Sequence, residues 1–267
     1  MILVVAVAGV VTVQDSGRPG RMHEGVPPGG ALVPELLAIA NTAAGNRPGE
    51  PGLELVGSVA ITPTAPVVVA TDDGARHELA ASVLWKASSA GDRVRYVAVR
   101  GGIDVPVSLG GRGTLVVAGL GGYEGRPLRR GDRLGVGTAS PFDGPAPAPP
   151  DITAPVRVVL GPDLDRFDGS TIEVLLSSTF RVEPRSDRVG VRLGGPTLGR
   201  RGDDTGPSGP MVRGAIQVPP SGEAIVLGPD HPTTGGYPVV ATVAGSSFGS
   251  LAARPVGAAV RFVVTKP

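Results

Sequence analysis

Short apolar runs, most of them rich in valine and bounded by glycine, proline or aspartate, recur along the whole chain. Runs of this length and composition are typical of β-strands joined by turns. The pattern predicts strands at 2–11, 59–61, 67–71, 94–99, 114–117, 156–160, 224–227, 239–243 and 259–264. We therefore expect a mainly β protein.

A few stretches have helical features instead. Residues 31–44 place leucine and isoleucine near helical spacing and end at Gly45, which suits a C-cap. Residues 168–178 begin with polar residues that can cap a helix and continue with apolar ones. A brief helix at 250–254 would be ended by Pro255.

The clearest internal boundary is the proline-rich segment SPFDGPAPAPPDITAP, residues 140–155. Proline cannot donate a ladder hydrogen bond, so this segment is predicted to be an extended linker. We expect a β-rich N-terminal domain over 1–140, a linker over 141–155 and a β-rich C-terminal domain over 156–267, for which the family resemblance described below implies a β-barrel. A glycine-rich segment at 195–209 predicts an exposed loop.

Composition supports a turn-rich β fold and excludes several classes of function. The chain of 267 residues has 42 glycines and 28 prolines without a fixed period. Its 25 basic residues nearly balance 24 acidic ones, so no basic face for nucleic acid or anionic lipid is indicated. The lack of cysteine excludes disulfides and thiolate nucleophiles. The lack of cysteine also fits a reducing cytoplasm, where we expect the protein to be. The apolar opening at 2–11 is far shorter than the roughly 20 residues of a membrane span.

Common catalytic and nucleotide-binding motifs are missing or out of context. Neither Lys86 nor Lys266 follows a glycine, so the chain has no P-loop. The glycine run at 119–125 lies in a β-like region, whereas a dinucleotide site needs a strand followed by a helix. The GxSxG pattern at 245–249 precedes no Asp, Glu or His, which the hydrolase order requires. The histidines are scattered, so we expect no metal site.

Polar residues concentrate in four clusters, of which the first follows the first strand. It contains Gln14, Asp15, Arg18 and His23 on a loop shaped by glycine and proline. Such a loop can present donors and acceptors to a carboxylate or a carbonyl. A plain turn with an internal Asp15–Arg18 ion pair explains the same residues equally well.

The second and third clusters allow simple structural interpretations. In the second, at 121–126, Glu124 and Arg126 can pair with each other. The third, at 184–192 around Arg188, fits a solvated hairpin.

The fourth cluster covers 214–222 and 230–238 and offers both donors and acceptors. Its polar residues are Gln217, Asp230, His231, Thr233, Thr234 and Tyr237. Asp230 beside His231 suits proton transfer if burial tunes the imidazole. The alternative is loop architecture, in which the glycine pair at 235–236 shapes a turn and the tyrosine packs.

In their order and separation, these clusters resemble the 5-oxoprolinase C-subunit family. That family is also called allophanate hydrolase subunit 2 and is one of the biotin-dependent carboxyltransferase families. They are also similar to the carboxyltransferase part of urea carboxylase. The matching segments are TVQDSGRPG (12–20), GVPPGGA (25–31), AGLGGYEGRPL (118–128), SDRVGVRL (186–193), GAIQVPPSG (214–222) and PTTGGYP (232–238). The chain departs from the family at Val33, where an aspartate is usual; if that acid anchors the first helix or a partner contact, its loss alters the interface.

The resemblance implies cyclophilin-like β-barrel domains with a few short helices, and a heteromer with a homologue of the 5-oxoprolinase B-subunit and with a third subunit. Such a complex opens 5-oxoproline to glutamate with ATP hydrolysis, and the isolated chain is expected to be inactive. In urea carboxylase relatives the equivalent region transfers a carboxyl group from carboxybiotin to urea. The alternatives are therefore a carboxyltransferase subunit that uses carboxybiotin, or a non-catalytic regulatory partner of the B-subunit homologue. No ATP or biotin motif of its own is found in the chain.

A lactam and urea both present a planar amide, which needs donors for its oxygen, an acceptor for its N–H and an arginine for any carboxylate. We expect Arg18 or Arg188 to bind the carboxylate and Gln217 to polarise the carbonyl. The other expected substrate-binding residues are Gln14, Thr233 and Tyr237, and the expected proton-transfer residues are Asp15, His23, Asp230 and His231. For this chemistry, loops from the two β-rich halves must meet around the amide.

Overall fold

A computed structural model describes residues 1–202 and 206–266. Among the described residues the secondary structure is 34% strand and 13% helix, with three α-helices and a nearly closed β-barrel sheet, which confirms the predicted mainly β fold. The chain divides into two compact units: unit 1 is Met1–Pro19 with Pro28–Pro150, and unit 2 is Gly20–Pro27 with Asp151–Pro267. Residues 137–155 contain neither helix nor strand. Part of the predicted loop at 195–209, residues 203–205, lies outside the described residues.

Unit 1 holds eight strands and one long helix. They are β1 (Ile2–Gln14), α1 (Pro34–Ala44), β2 (Gly52–Pro63), β3 (Val67–Thr71), β4 (Arg76–Leu79), β5 (Trp85–Ser88), β6 (Arg95–Val99), β7 (Ile103–Asp104) and β8 (Arg133–Val136). The strand order is β4-β3-β6-β2-β1-β8-β7, and β5 also pairs with β2. Alternate residues such as Val11, Val13, Leu53 and Leu55 point into one apolar core.

A pair of glycines bends the long β1–β2 ribbon. Gly9 and Gly57 face each other in the register and have φ of +80° and +131°. A Cβ on Gly57 would overlap the carbonyl oxygen of Ala8, so the backbones approach closely here. Before this bend β2 pairs with β6, and after it β2 pairs with β5. The bend therefore lets one strand serve two parts of the sheet.

The described part of unit 2 holds the remaining strands and two short α-helices. They are β9 (Val156–Leu160), α2 (Thr171–Ser177), β10 (Phe180–Val182), β11 (Gly190–Gly194), β12 (Gly209–Pro210), β13 (Ala215–Gln217), β14 (Ala224–Leu227), β15 (Thr234–Gly235), β16 (Val239–Val243), α3 (Gly245–Ala252), β17 (Ala259–Val260) and β18 (Phe262–Val264). The main sheet has the order β17-β10-β11-β14-β13-β16-β9-β18, and β12 pairs with β15. The β9–β18 pairing is parallel.

Helix α1 begins at Pro34, three residues later than predicted, because the preceding residues bond elsewhere. The Leu32 N–H donates to Glu54 Oε2 at 2.7 Å, and the Val33 N–H donates to the Tyr96 hydroxyl at 2.9 Å. Val33, at the position where the family usually has aspartate, is the N-cap and forms no side-chain cap. Its side chain is buried in the core.

Two predictions of local structure were wrong. Residues 114–117 do not form a strand, because Leu115 bridges to Leu120 and the chain turns through a short 3-10 helix at Val116–Ala118. Helix α3 starts at Gly245, five residues before the predicted start. Among the described residues, no helix combines the length and apolar character needed to cross a membrane.

Candidate functional site

Asp15 closes the turn after β1 and joins it to a distant loop. Its Oδ1 accepts hydrogen bonds from the N–H groups of Gly17 at 2.8 Å and Gly113 at 3.0 Å, and its Oδ2 accepts one from Arg112 N–H at 2.6 Å. The residue is 8% exposed. In this structure its carboxylate is thus engaged by three backbone donors.

Arg18 is buried in the same part of unit 1 and donates to backbone carbonyls. Its Nε donates to Ser108 O at 2.8 Å and its Nη2 to Gly113 O at 2.7 Å. A Cβ on Gly121 would overlap Nη2, so the glycine of the second cluster makes room for the guanidinium. The side chain is 1% exposed. A substrate carboxylate could reach this guanidinium only after the surrounding loops moved.

Gln14 is fully buried beside Asp15. Its Nε2 donates to Thr12 Oγ1 and to Thr114 O, both at 3.0 Å. Its Oε1 has no hydrogen-bond partner within the described chain. A Cβ on Gly113 would lie 2.7 Å from that oxygen. The first and second clusters of the sequence therefore meet in unit 1, with glycine at the points of close approach.

The remaining charged residues of the second cluster form an ion-pair group. Arg126 donates to Glu124 Oε2 at 2.7 Å and to both oxygens of Asp132, at 2.8 and 2.9 Å. Its guanidinium also lies over the Tyr123 ring, 5.1 Å from the centroid. The bonds from Arg126 lower the pKa of Asp132 against the opposing effect of burial. These contacts fix the 121–132 segment.

The third and fourth clusters meet in unit 2 through a two-point ion pair. Arg188 Nε donates to Asp230 Oδ2 at 2.8 Å and Arg188 Nη2 to Asp230 Oδ1 at 2.9 Å. The Asp230 N–H also donates to Arg188 O at 3.1 Å. The side chains are only 14% and 7% exposed. Arg188 is thereby bound to a carboxylate of the protein itself.

His231 is fully buried and held neutral by its surroundings. Burial lowers its pKa, Arg213 lowers it further, and the contact to Pro232 O and the charge of Asp230 oppose this. Its Nδ1 lies 2.8 Å from Pro232 O. This geometry places the proton on Nδ1, which leaves Nε2 as an acceptor without a partner in the described residues.

Gln217 and Tyr237 line one cavity of about 350 Å³ in unit 2. The other lining residues are Gly206, Ser208, Pro232, Gly235 and Gly236. Gln217 ends β13, next to a register shift between Ile216 and Gln217 where that strand pairs with β16. The cavity has an amide, a phenol and a hydroxyl in its wall, which together can donate to a carbonyl and accept from an N–H.

Of the expected site residues, Gln217 and Tyr237 line this cavity, and Thr233 and His23 lie outside the buried groups described above. Thr233 uses its carbonyl to accept the Met211 N–H at 3.0 Å and does not line the cavity. His23 has a side chain 76% exposed, 3.4 Å from Glu24.

The sequence interpretation missed Ser208 and the loop of Arg112, Gly113 and Thr114. The glycines at 110, 111 and 113 were the available signal for that loop. Among the residues that the structure describes, no group of three or more His, Asp or Glu side chains could hold a metal ion.

Comparison with known families finds one match that covers most of the chain. The family described as carboxyltransferase domain, subdomain A and B, matches residues 24–264. The 5-oxoprolinase C-subunit of Escherichia coli (strain K12) is 33% identical over 281 aligned positions, which cover 98% of this chain and 91% of that protein. The urea amidolyase of Lachancea kluyveri is 29% identical over 94% of this chain but only 16% of its own length.

The fold is similar to that of a solved urea amidolyase. The crystal structure of the K. lactis urea amidolyase superposes with a TM-score of 0.86 and 26% sequence identity. The match covers 99% of this chain and 19% of that one, so the chain spans about a fifth of the larger enzyme.

Proposed function

The chain belongs to the family of carboxyltransferase domains with subdomains A and B, and from that premise we propose that it is a subunit of an ATP-dependent 5-oxoprolinase. The complex would convert 5-oxoproline to glutamate together with a homologue of the B-subunit and a third subunit. One observation carries the choice: the chain is 33% identical to the Escherichia coli 5-oxoprolinase C-subunit over 98% of its length, against 29% identity to the Lachancea kluyveri urea amidolyase over 94%.

The cavity of Gln217 and Tyr237 is the place in unit 2 where we propose that the amide binds. The Gln217 side chain can donate to the lactam oxygen through Nε2 and accept the lactam N–H through Oε1. The Tyr237 hydroxyl and the Ser208 hydroxyl supply further donors to the same cavity. Donors directed at the oxygen stabilise the negative charge that develops there when water adds to the carbonyl carbon.

Arg188 and Asp230 are proposed to hold one wall of this cavity in place. Their ion pair fixes the chain at 230, and Pro232, two residues on, lines the cavity. Neutral His231, which follows Asp230, retains an acceptor nitrogen, and we propose that it accepts a proton from the attacking water and returns it to the lactam nitrogen as the ring opens. Opening breaks the lactam C–N bond, adds water to the carbonyl carbon and leaves a carboxylate and a protonated amine.

The test is reconstitution with a homologue of the 5-oxoprolinase B-subunit and with the proposed third subunit. We expect ATP hydrolysis that depends on 5-oxoproline and forms glutamate, and none from the isolated chain. Gln217→Ala and Tyr237→Phe should each lower kcat/KM at least tenfold, whereas Tyr123→Phe, a tyrosine outside the cavity, should not. An assembled complex that forms no glutamate would refute the proposal.

A second candidate is a carboxyltransferase subunit that uses urea and carboxybiotin as co-substrates. It is favoured by the urea amidolyase match over 94% of this chain and by the TM-score of 0.86. Urea presents the same planar amide edge to Gln217. Carboxylation of urea by the reconstituted complex with carboxybiotin, in the absence of 5-oxoproline turnover, would select this candidate.

A further inference from the structure

A cavity of about 630 Å³ opens in unit 1 beside β3 and β4, at one end of its eight-stranded sheet. Strands β3 and β4 form one wall, and Val136 at the end of β8 with Ala139 forms the other. The complete lining is Pro66, Val67, Val68, Arg76, Glu78, Leu79, Ala80, Arg100, Val136 and Ala139. The cavity therefore lies next to β4, an end strand of this sheet.

The free edge of β4 faces away from its only strand partner, β3. The Arg100 N–H donates to Val68 O, so the backbone groups of Val68 point towards β6. Val68 is opposite Glu78 in the antiparallel pair, which makes this a non-hydrogen-bonded position. The N–H and C=O of Glu78 therefore point away from β3, at the edge that lines the cavity.

Two glycines set the position of the far wall. Gly101 has φ of +93°, and a Cβ there would overlap the carbonyl oxygen of Gly137. The Gly137 N–H donates to Gly102 O at 3.1 Å. This close approach holds the segment after β8 against the turn after β6, so Arg100 and Ala139 line the same cavity.

Charge and hydrophobicity are separated within the cavity. The Arg100 guanidinium is exposed and forms no ion pair within the described residues. Arg76 lies 3.5 Å from Glu78, and both side chains are well exposed, so that pair is weak. Val67 and Val136 pack against the barrel core and give a fixed apolar floor. With two arginines and one glutamate, the lining carries more positive than negative charge.

We propose that this cavity binds a small organic anion with an apolar body, a carboxylate of medium chain length. The carboxylate pairs with Arg100, and the alkyl chain covers Val67, Val68 and Val136. The volume lies within the roughly 300–1,000 Å³ of ordinary small-molecule sites. No residue of the Gln217 cavity lines it, so this proposal stands apart from the proposed function.

Titration calorimetry on the full chain tests the proposal with three probes. Octanoate should bind at one saturable site, octanamide should bind at least tenfold more weakly because it has no charge, and butyrate should also bind more weakly because it covers less of the floor. Arg100→Ala should weaken octanoate binding at least tenfold. Arg130→Ala, which removes an exposed arginine outside the cavity, should leave it unchanged.

Charge changes at Ala80 test the same site without removing any side-chain contact. Ala80→Glu should weaken octanoate binding and Ala80→Lys should not, with circular dichroism confirming the fold of each variant. Equal binding of octanoate and octanamide, undiminished binding to Arg100→Ala, or no saturable binding would each overturn the proposal.

Discussion

Polar side chains in the motif segments fall into two groups by what they contact. Asp15 and Arg18 are occupied by backbone groups of a distant loop, whereas Gln217 and Tyr237 line a cavity. The sequence drew attention to all four through the family segments but could not separate the groups. The separation depends on contacts between residues about a hundred positions apart, such as Asp15 with Arg112, which no local pattern contains.

Asp15→Asn should destabilise unit 1 by about 1–3 kcal/mol, because an amide nitrogen cannot accept the N–H groups that the carboxylate now accepts. Urea denaturation followed by circular dichroism measures the change. Asp143→Asn, outside the helices and strands, is the matched control and should stay within about 0.5 kcal/mol of the parent. If the two variants are equally stable, the Asp15 contacts do not hold the loops together.

The Arg188–Asp230 pair should behave as one structural unit. Arg188→Ala or Asp230→Ala alone should lower the free energy of unfolding by about 3 kcal/mol, since each variant leaves a buried charge without its main partner. The double variant should cost clearly less than the sum of the two. Unfolding free energies of all four proteins give the coupling, and strict additivity would contradict the positioning role assigned to the pair.

At the scale of elements, a strand that appears in the sequence as an isolated apolar run could be predicted. The strands with which it pairs could not be predicted. The runs at 67–71, 156–160 and 239–243 match β3, β9 and β16. The charged edge strand β4 was missed because Arg76, His77 and Glu78 show no apolar alternation. The predicted start of α1 was too early. The N–H groups of the two residues before the helix donate to the buried side chains of Glu54 and Tyr96, and no local cap marks the boundary in the sequence.

Replacement of Gly57 tests the bend in the β1–β2 ribbon. Gly57→Ala should lower the free energy of unfolding by more than about 2 kcal/mol, because alanine is disfavoured at a positive φ and its Cβ would overlap the Ala8 carbonyl oxygen. Gly74→Ala is the matched control, because Gly74 has φ of +82° but open space around it, and it should cost about 1 kcal/mol. Thermal unfolding distinguishes the two. Equal losses would mean that the close approach contributes nothing.

For the whole molecule, composition and the spacing of valine-rich runs were enough to predict a turn-rich β protein. The domain bounds taken from the proline-rich segment at 140–155 remain a prediction. The barrel itself was expected only from the family resemblance, because closure depends on which strands pair across the sheet. The cavities were not predictable, since they arise where pairing stops.

The titration of Asp72 should make the folded protein less stable as the pH rises from about 4 to about 6. Burial raises the pKa of this carboxyl to about 6, although Arg95 at 3.1 Å opposes the shift. In that range the folded protein retains a proton that the unfolded chain has released, so this contribution is full below about pH 4 and is lost above about pH 6.

Comparison with Asp72→Asn isolates the effect, because groups such as His231, whose lowered pKa acts in the opposite direction, are common to both proteins. The unfolding free energy of the parent minus that of the variant should decrease by about 2 kcal/mol from about pH 4 to about pH 7. Denaturation curves across this pH range measure it. A constant difference would show that the carboxyl titrates normally.

The free edge of β4 also affects how the protein behaves in a crowded solution. A strand edge that lacks a neighbour can recruit the edge of another molecule, and charges on it discourage such stacking. Arg76, His77 and Glu78 place exposed polar groups along β4. Engineering that replaced them with valine would turn this edge into a seed for intermolecular β-sheet, so these residues protect the chain against aggregation.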